Sequence, residues 1–384
     1  MSATDVLISG GGTGGHVFPA LALADELVAR GHPRDRIRFV GAARGLEATA
    51  VPAAGYEIDL LPGRGFERGA SPAAIRRNLR TTCDTAVAFA RAWALVGRLR
   101  PRVVVGVGAY ASLPALVAAR GRRIPAVVHE ADAHPGLANR IAVRLGARAA
   151  VTLPGTRLRG AVVTGNPIRP AIAAVERAPV APPRIAVVGG SLGARSLNQA
   201  VLGLYDLWRD RTDLTIHHVT GTRDYQGCST TLAGLRTAGD RLSYSLVPFE
   251  EHMEVVYAEA TLVVSRSGGM TAELTTVGMP SVLVPLPGAP GDHQTANADA
   301  LVAAGAAVKI ADADLDPARL AAELDALLAD PARLAAMGAA ARTLGRPDAT
   351  ARFADLVEAS MTGSSTTRDS TTRASGEQGD ARGR

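Results

Sequence analysis

Cysteine is nearly absent from this chain: Cys83 and Cys228 are the two in 384 residues. Two isolated thiols build neither a disulfide framework nor a cysteine-ligated metal site, and they fit a reducing compartment. Aromatic residues are sparse at 4%. No Lys/Arg-rich run carries interleaved aromatics, so the stacking platforms that nucleic-acid binding uses are missing. The longest uncharged run, Val103 to Ala119, is broken by Gly106, Gly108 and Pro114. It reads as a buried strand, a loop and a helix rather than a membrane span. The opening Met1-Ser2-Ala3-Thr4-Asp5 lacks the basic flank of a signal peptide. Membrane contact is therefore expected to be peripheral.

What is abundant is Ala, Val and Gly, with 47% hydrophobic residues and 41 glycines. Val-rich runs suit strands buried on both faces of a parallel sheet, and Ala-rich segments suit the helices that cover it. The length predicts two domains. The net charge of +6 comes almost entirely from Arg, which favours acidic partners such as phosphate esters or an anionic membrane surface.

Residues 6–27 read as an apolar strand, a glycine-rich turn and an amphipathic helix, a βα unit suited to phosphate, and residues 185–207 repeat the design. Two such openings predict two Rossmann-like halves with parallel sheets, joined by the Pro- and Ala-rich stretch from 169 to 184. Further strands are expected at 37–40, 103–107, 126–129 and 149–152, then at 215–220, 242–248, 262–265, 281–284 and 307–310. The first domain is read as 1–168 and the second as 185–346, with a helix at 347–361 packing back on the first. Residues 362–384, rich in Ser, Thr, Gly and charge, read as a disordered tail.

Gly10, Gly12 and Gly15 have dinucleotide-type spacing, yet the second strand ends Phe39-Val40-Gly41-Ala42 without the acid that holds a ribose in such sites. A different phosphate ligand is therefore expected. His16 begins the helix, where it serves either as a base or phosphate ligand or only to satisfy the helix end. Gly189-Gly190-Ser191-Leu192-Gly193 and Arg266-Ser267-Gly268-Gly269-Met270-Thr271-Ala272-Glu273 are further glycine-rich turns between a strand and a helix. Glu273 suits ribose hydroxyls, or else complements the helix dipole. The loop from Pro287 into Asp292-His293-Gln294-Thr295-Ala296-Asn297 suits sugar hydroxyls. Asp312, Asp314 and Asp316 imitate a metal-binding DxD pattern but stand where turn and capping aspartates belong.

The strings GGGTGGHVFPALA, GVGAYAS, VVTGNPIR, VVGGSLGARSLN, SRSGGMTAEL, DHQTANA and PDATARFADLV follow in fixed order from about residue 5 to 360. Together they resemble the bacterial MurG family, which transfers N-acetylglucosamine from UDP-GlcNAc to lipid I in peptidoglycan synthesis, and so serves cell shape and division. The resemblance implies a GT-B fold with the acceptor on the first domain and the donor mainly on the second. It also implies inversion at the sugar, no metal or other cofactor, and a peripheral position on the cytoplasmic face of the membrane. Other cell-wall synthesis proteins are implied as companions.

By the same resemblance Thr13, Gly14, Gly15 and His16 face the reacting sugar and the acceptor diphosphate, with Tyr110, Glu130, Asp132 and Asn139 nearby. Arg169 and Ser191 hold the nucleotide diphosphate, Glu273 the ribose, Met270 and Thr271 the donor, and His293, Gln294 and Asn297 line the GlcNAc loop. His16 and Glu130 are candidate bases, and Arg266 with Ser191 is expected to supply electrostatics. The segment with Ile75, Arg76, Arg77, Leu79 and Arg80 is the expected membrane patch, or else a solvated helix face.

Three positions depart from the family pattern. Asp132 replaces an amide, which sets a carboxylate where a diphosphate is expected unless it points away or is protonated. Leu192 replaces a Gln, and Ala109 a Gly beside Tyr110; the 266–273 turn is also one residue short. Rival readings are a GT-B transferase for another lipid or a natural product, a UDP-sugar epimerase, and a non-catalytic scaffold.

Overall fold

The computed structural model describes residues 4–62, 72–132, 134–190 and 193–362, with backbone only at 72–80, 83 and 290. Among these residues the first half forms one parallel sheet from β1 (Val6–Ser9), β2 (Ile37–Ala42), β3 (Glu57–Leu61), β4 (Val103–Gly106), β5 (Ala126–Glu130), β6 (Arg148–Val151) and β7 (Val162–Val163). Their order is β3-β2-β1-β4-β5-β6-β7. The helices α1 (Gly14–Ala29), α2 (Glu47–Ala53), α3 (Pro72–Leu99), α4 (Leu113–Gly121) and α5 (Leu137–Arg144) connect them.

The short helix α6 (Pro170–Ala173) leads to the second sheet, made of β8 (Arg184–Val188), β9 (Thr215–Val219), β10 (Ser243–Val247), β11 (Leu262–Ser265), β12 (Ser281–Leu283) and β13 (Ala307–Lys309). Its order is β10-β9-β8-β11-β12-β13. It is covered by α7 (Arg195–Trp208), α8 (Tyr225–Leu235), α9 (Met253–Glu259), α10 (Met270–Val277), α11 (His293–Ala303), α12 (Pro317–Leu328) and α13 (Pro331–Leu344), before α14 (Ala349–Met361) closes the described chain.

Every residue of β1, β4 and β11 is buried. This is why these strands read as continuous Val-rich runs rather than alternating ones. In register, Val6 pairs with both Ile37 and Val103, so β1, β2 and β4 begin level; β1 and β4 end together at Ser9 and Gly106, and β2 runs on to Ala42. The strand order reverses at β1 and again at β8, and a crevice opens beyond each switch point.

Two edge strands, β3 and β7, escape the sequence reading. β3 carries Glu57 and Asp59, and Arg38 on β2 pairs with both, at 2.6 Å for Asp59. Charge of this kind blunts an exposed sheet edge and hides the strand pattern. The linker is no free tether either. The Ala178 N–H donates to the Ala258 carbonyl at 2.9 Å, and Arg177 donates to the carbonyls of Gly278, Ala260 and Thr261, which straps the linker to the second half.

Helix α14 lies on the first half. Phe353 and Val357 are fully buried in the core that contains Ile8 and Leu27, and each such side chain contributes about 2 kcal/mol by burial. Arg30 bridges Asp355 at 2.6 Å and Glu358 at 2.8 Å, and His32 meets Glu358 at 3.0 Å. Residues 363–384, most of the expected tail, lie outside the described residues.

Candidate active site

The two halves face each other across a cleft of about 960 Å³, a size that suits a nucleotide sugar. The loops at the carboxyl edges of the central strands line it, and they nearly touch. A Cβ on Gly269, at the start of α10, would sit 3.3 Å from the Cα of Gly15 on the opposite half. A side chain there would press on the opposite backbone and push the two loops a few tenths of an ångström apart.

His16 lines the cleft in the first turn of α1. Its Nδ1 lies 3.3 Å from the Thr13 hydroxyl, and its ring packs on the backbone of Gly108. Burial lowers its pKa, the carboxylates of Asp132 and Glu47 oppose that shift, and the His293 imidazole adds to it. The result is a neutral imidazole able to accept a proton. Behind it, His129 donates to the Gly165 carbonyl at 3.1 Å, and burial pulls its pKa to about 4, so it too is neutral.

Glu130 ends β5 and is 5% exposed. Its Oε1 accepts from the Asp132 N–H at 3.1 Å, and its Oε2 accepts from the Gly136 N–H and the Asn139 amide, both at 2.9 Å. Burial pushes its pKa up against these bonds. Glu130 and Asn139 thus brace the loop that presents Asp132. Three of about four acceptor positions on the carboxylate are filled, which favours His16 of the two candidate bases. Asp132 itself points at the His293 imidazole, 3.8 Å away on the other half. The carboxylate that the sequence set against a diphosphate is therefore turned toward the opposite half, and its charge is felt by His16 as well.

Tyr110 stands at the mouth of the cleft, 69% exposed. It follows Ala109, whose φ of 60° and ψ of 165° fall in a region that only glycine occupies without strain. On the second half, Glu273 accepts from the buried Tyr257 phenol at 2.7 Å and faces the cleft in the first turn of α10 beside Met270. Gln294 lines the cleft and accepts from the Leu286 N–H at 2.9 Å. Arg169 lines it too, donates to the Glu251 carbonyl at 3.0 Å and stacks over Phe18.

Three expected residues fall differently. The Arg266 guanidinium is held by Asp312 at 2.6 Å, by Ser196 at 2.8 Å and by the carbonyls of Val284 and Pro285. Its charge is compensated inside the protein, and it braces the cleft wall rather than offering a free cation. Thr271 and Asn297 lie behind the lining: the Thr271 hydroxyl bonds the Gly268 carbonyl at 2.8 Å, and the Asn297 amide holds the Ser267 carbonyl at 3.0 Å. Ser191, with Leu192, lies outside the described residues, as do the side chains of Ile75, Arg76, Arg77, Leu79 and Arg80 on α3. The aspartate triplet is accounted for in part: Asp312 pairs with Arg266, and Asp316 caps α12 through the Arg319 N–H at 2.7 Å.

The sequence reading also missed three cleft residues. Asn166 sits within the quoted VVTGNPIR string and reaches toward Gly269. His134 packs against Gly291 of the opposite half, and Phe249 lines the donor side. Only Asn166 had a signal, its place in a motif.

The glycosyltransferase family 28 N-terminal domain model matches residues 6–151, and its C-terminal counterpart matches 184–358. The UDP-N-acetylglucosamine–N-acetylmuramyl-(pentapeptide) pyrophosphoryl-undecaprenol N-acetylglucosamine transferase of Desulforudis audaxviator is 40% identical over 369 residues, 92% of this chain and 97% of the relative. The chain belongs to the MurG family. It is a glycosyltransferase with the GT-B fold. The crystal structure of Acinetobacter baumannii MurG shares 30% identity over 92% of this chain and 99% of its own, with a TM-score of 0.69. A UDP-N-acetylglucosamine 2-epimerase structure matches with a TM-score of 0.64 at 17% identity, covering 97% of this chain and 100% of that one. That likeness shows the shared fold alone, so the epimerase reading gains nothing beyond architecture while the MurG relationship extends along both halves.

Proposed function

We propose that this MurG-family enzyme transfers GlcNAc from UDP-GlcNAc to the muramyl 4-hydroxyl of undecaprenyl-pyrophosphoryl-MurNAc-pentapeptide, converting lipid I to lipid II. The observation that carries the reading is the convergence at one point of the cleft: neutral His16 on the acceptor half, and the α10 turn with Glu273 on the donor half, joined where Gly269 meets Gly15.

In this reading Glu273, held by Tyr257, accepts from the ribose hydroxyls, and His293 and Gln294 take the GlcNAc hydroxyls. His16 removes the proton from the muramyl 4-hydroxyl as its oxygen attacks C1 of the sugar. The C1–O bond to UDP breaks, and its electron pair leaves with the β-phosphate. Arg169 and the backbone N–H groups of the donor-side turns stabilise that developing charge. One displacement inverts the anomeric carbon.

No metal or other cofactor enters this scheme. The engagement of Asp312 by Arg266 and Ser196, and of Asp316 by a helix end, supports that assignment. The protein acts at the cytoplasmic face of the membrane, held peripherally by the first half. Among the described residues no helix is long and apolar enough to cross a bilayer, and α3 exposes Val87 and Trp93 beyond its basic amino-terminal segment. Other wall-synthesis enzymes are its expected neighbours there. The test is UDP release by the purified chain in EDTA, with and without a short-chain lipid I analogue. Acceptor-dependent release supports the reading, and release without acceptor overturns it.

A further inference from the structure

Glu47 has no place in the scheme above, yet it is 1% exposed and sits directly beneath the first glycine turn. β2 ends at Ala42 without an acid, but Glu47, at the start of α2, folds back to that strand end. Its Oε1 accepts from the Ala42 N–H at 2.9 Å, and its Oε2 accepts from the Gly12 N–H at 2.7 Å. A Cβ on Gly11, Gly41 or Gly45 would land on this side chain. Glycines from three separate segments therefore clear the space for one carboxylate.

A glycine turn between a strand and a helix ordinarily leaves its N–H groups for a bound phosphate. Here the Gly12 N–H, on a residue whose φ of +96° suits glycine, is already taken by an internal anion. The bond continues into the site. Gly12 precedes Thr13, whose carbonyl accepts from the N–H groups of His16 and Val17, both at 3.1 Å, and whose hydroxyl meets His16 Nδ1.

We propose that Glu47 is a positioning residue for the acceptor half: its carboxylate occupies the anion-binding turn of the first glycine loop and so fixes Thr13 and His16 in their working geometry. The inference rests on the placement of the acceptor at Thr13–His16 given above. Two roles follow from the geometry. The paired bonds set the loop, because a carboxylate accepts at both oxygens where an amide can accept at only one. The charge also acts on His16, along with Asp132 from the β5–α5 loop, His129 from β5 and His293 from α11.

The test compares Glu47→Gln and Glu47→Asp with the parent full-length chain. It reads kcat/KM for a short-chain lipid I analogue against pH, and UDP affinity by calorimetry. Glu47→Gln loses one backbone bond and the charge. It is expected to lower kcat/KM on the order of tenfold to a hundredfold, as small misplacements of reacting groups do. UDP affinity should stay within about twofold of the parent, and the acid limb of the profile should move to lower pH. Glu47→Asp keeps the charge but draws it back, so the rate falls with the limb unmoved. Parental rate and profile in Glu47→Gln overturn the proposal, as does a loss of UDP affinity parallel to the loss of rate, which marks a general structural defect. A His16→Ala chain with undiminished turnover would overturn the acceptor placement instead, separately from either Glu47 result.

Discussion

The Asp132 carboxylate of the first half faces the His293 imidazole of the second across 3.8 Å of cleft. This pair spans the two halves within the lining of the cleft. His134 approaches Gly291 beside it, so the β5–α5 loop and the loop before α11 close one wall of the cleft together.

Asp132→Asn restores the family's amide at this position and tests the pair. Asp132 raises the His16 pKa against the effect of burial, so removing its charge lowers that pKa further. A base must be neutral to work, and a lower pKa keeps it neutral to lower pH. The variant should therefore retain more of its maximal kcat/KM on the acid limb of the profile than the parent does. An acid limb that stays in place or moves upward would refute the coupling.

Ala109 occupies a glycine-only region of backbone space next to Tyr110. Ala109→Gly should relieve roughly 1–3 kcal/mol of strain, less the ~0.5–1 kcal/mol that glycine costs through the unfolded chain. The net expectation is a stabilisation of about 1 kcal/mol, read from the denaturant midpoint at constant slope. A destabilised Ala109→Gly chain would contradict the strain.

Tyr257→Phe removes the phenol that donates to Glu273 at 2.7 Å. A hydrogen bond to a charged group contributes about 1.5 kcal/mol, or roughly tenfold in an equilibrium constant. UDP affinity measured by calorimetry should fall by about that factor, and unchanged affinity would remove Glu273 from the ribose site.

Asp312→Asn leaves Arg266, 12% exposed, without its counter-charge. Breaking such a pair should destabilise the second half by about 2–3 kcal/mol, below the range for fully buried pairs because both groups keep some solvent contact. If the triplet held a metal instead, EDTA would lower the parent's activity, and the variant would lose activity before it lost stability.

The two strand–turn–helix openings were legible because glycines between a Val-rich run and an amphipathic helix leave few other folds open. The edge strand β3 was not, since Glu57 and Asp59 mask its pattern and become intelligible only opposite Arg38. Polar residues near a cleft carry the same signal whether they line it or brace it. Gln294 lines, Thr271 and Asn297 lie behind, and Arg266 reaches the lining with its charge already engaged by Asp312; the difference lies in hydrogen bonds that no spacing encodes. Glu47 was invisible for a related reason. β2 ends without an acid of its own; Glu47 comes from the next helix, and only the folded chain brings it to Gly12.

The measurement that bears most directly on the account is the configuration of the new glycosidic bond, read by NMR on the product formed from UDP-GlcNAc and a lipid I analogue in EDTA. A single displacement assisted by one base, His16, predicts a β linkage from the α-linked donor, with formation lost in His16→Ala. An α-linked product, or transfer that survives His16→Ala, would contradict it.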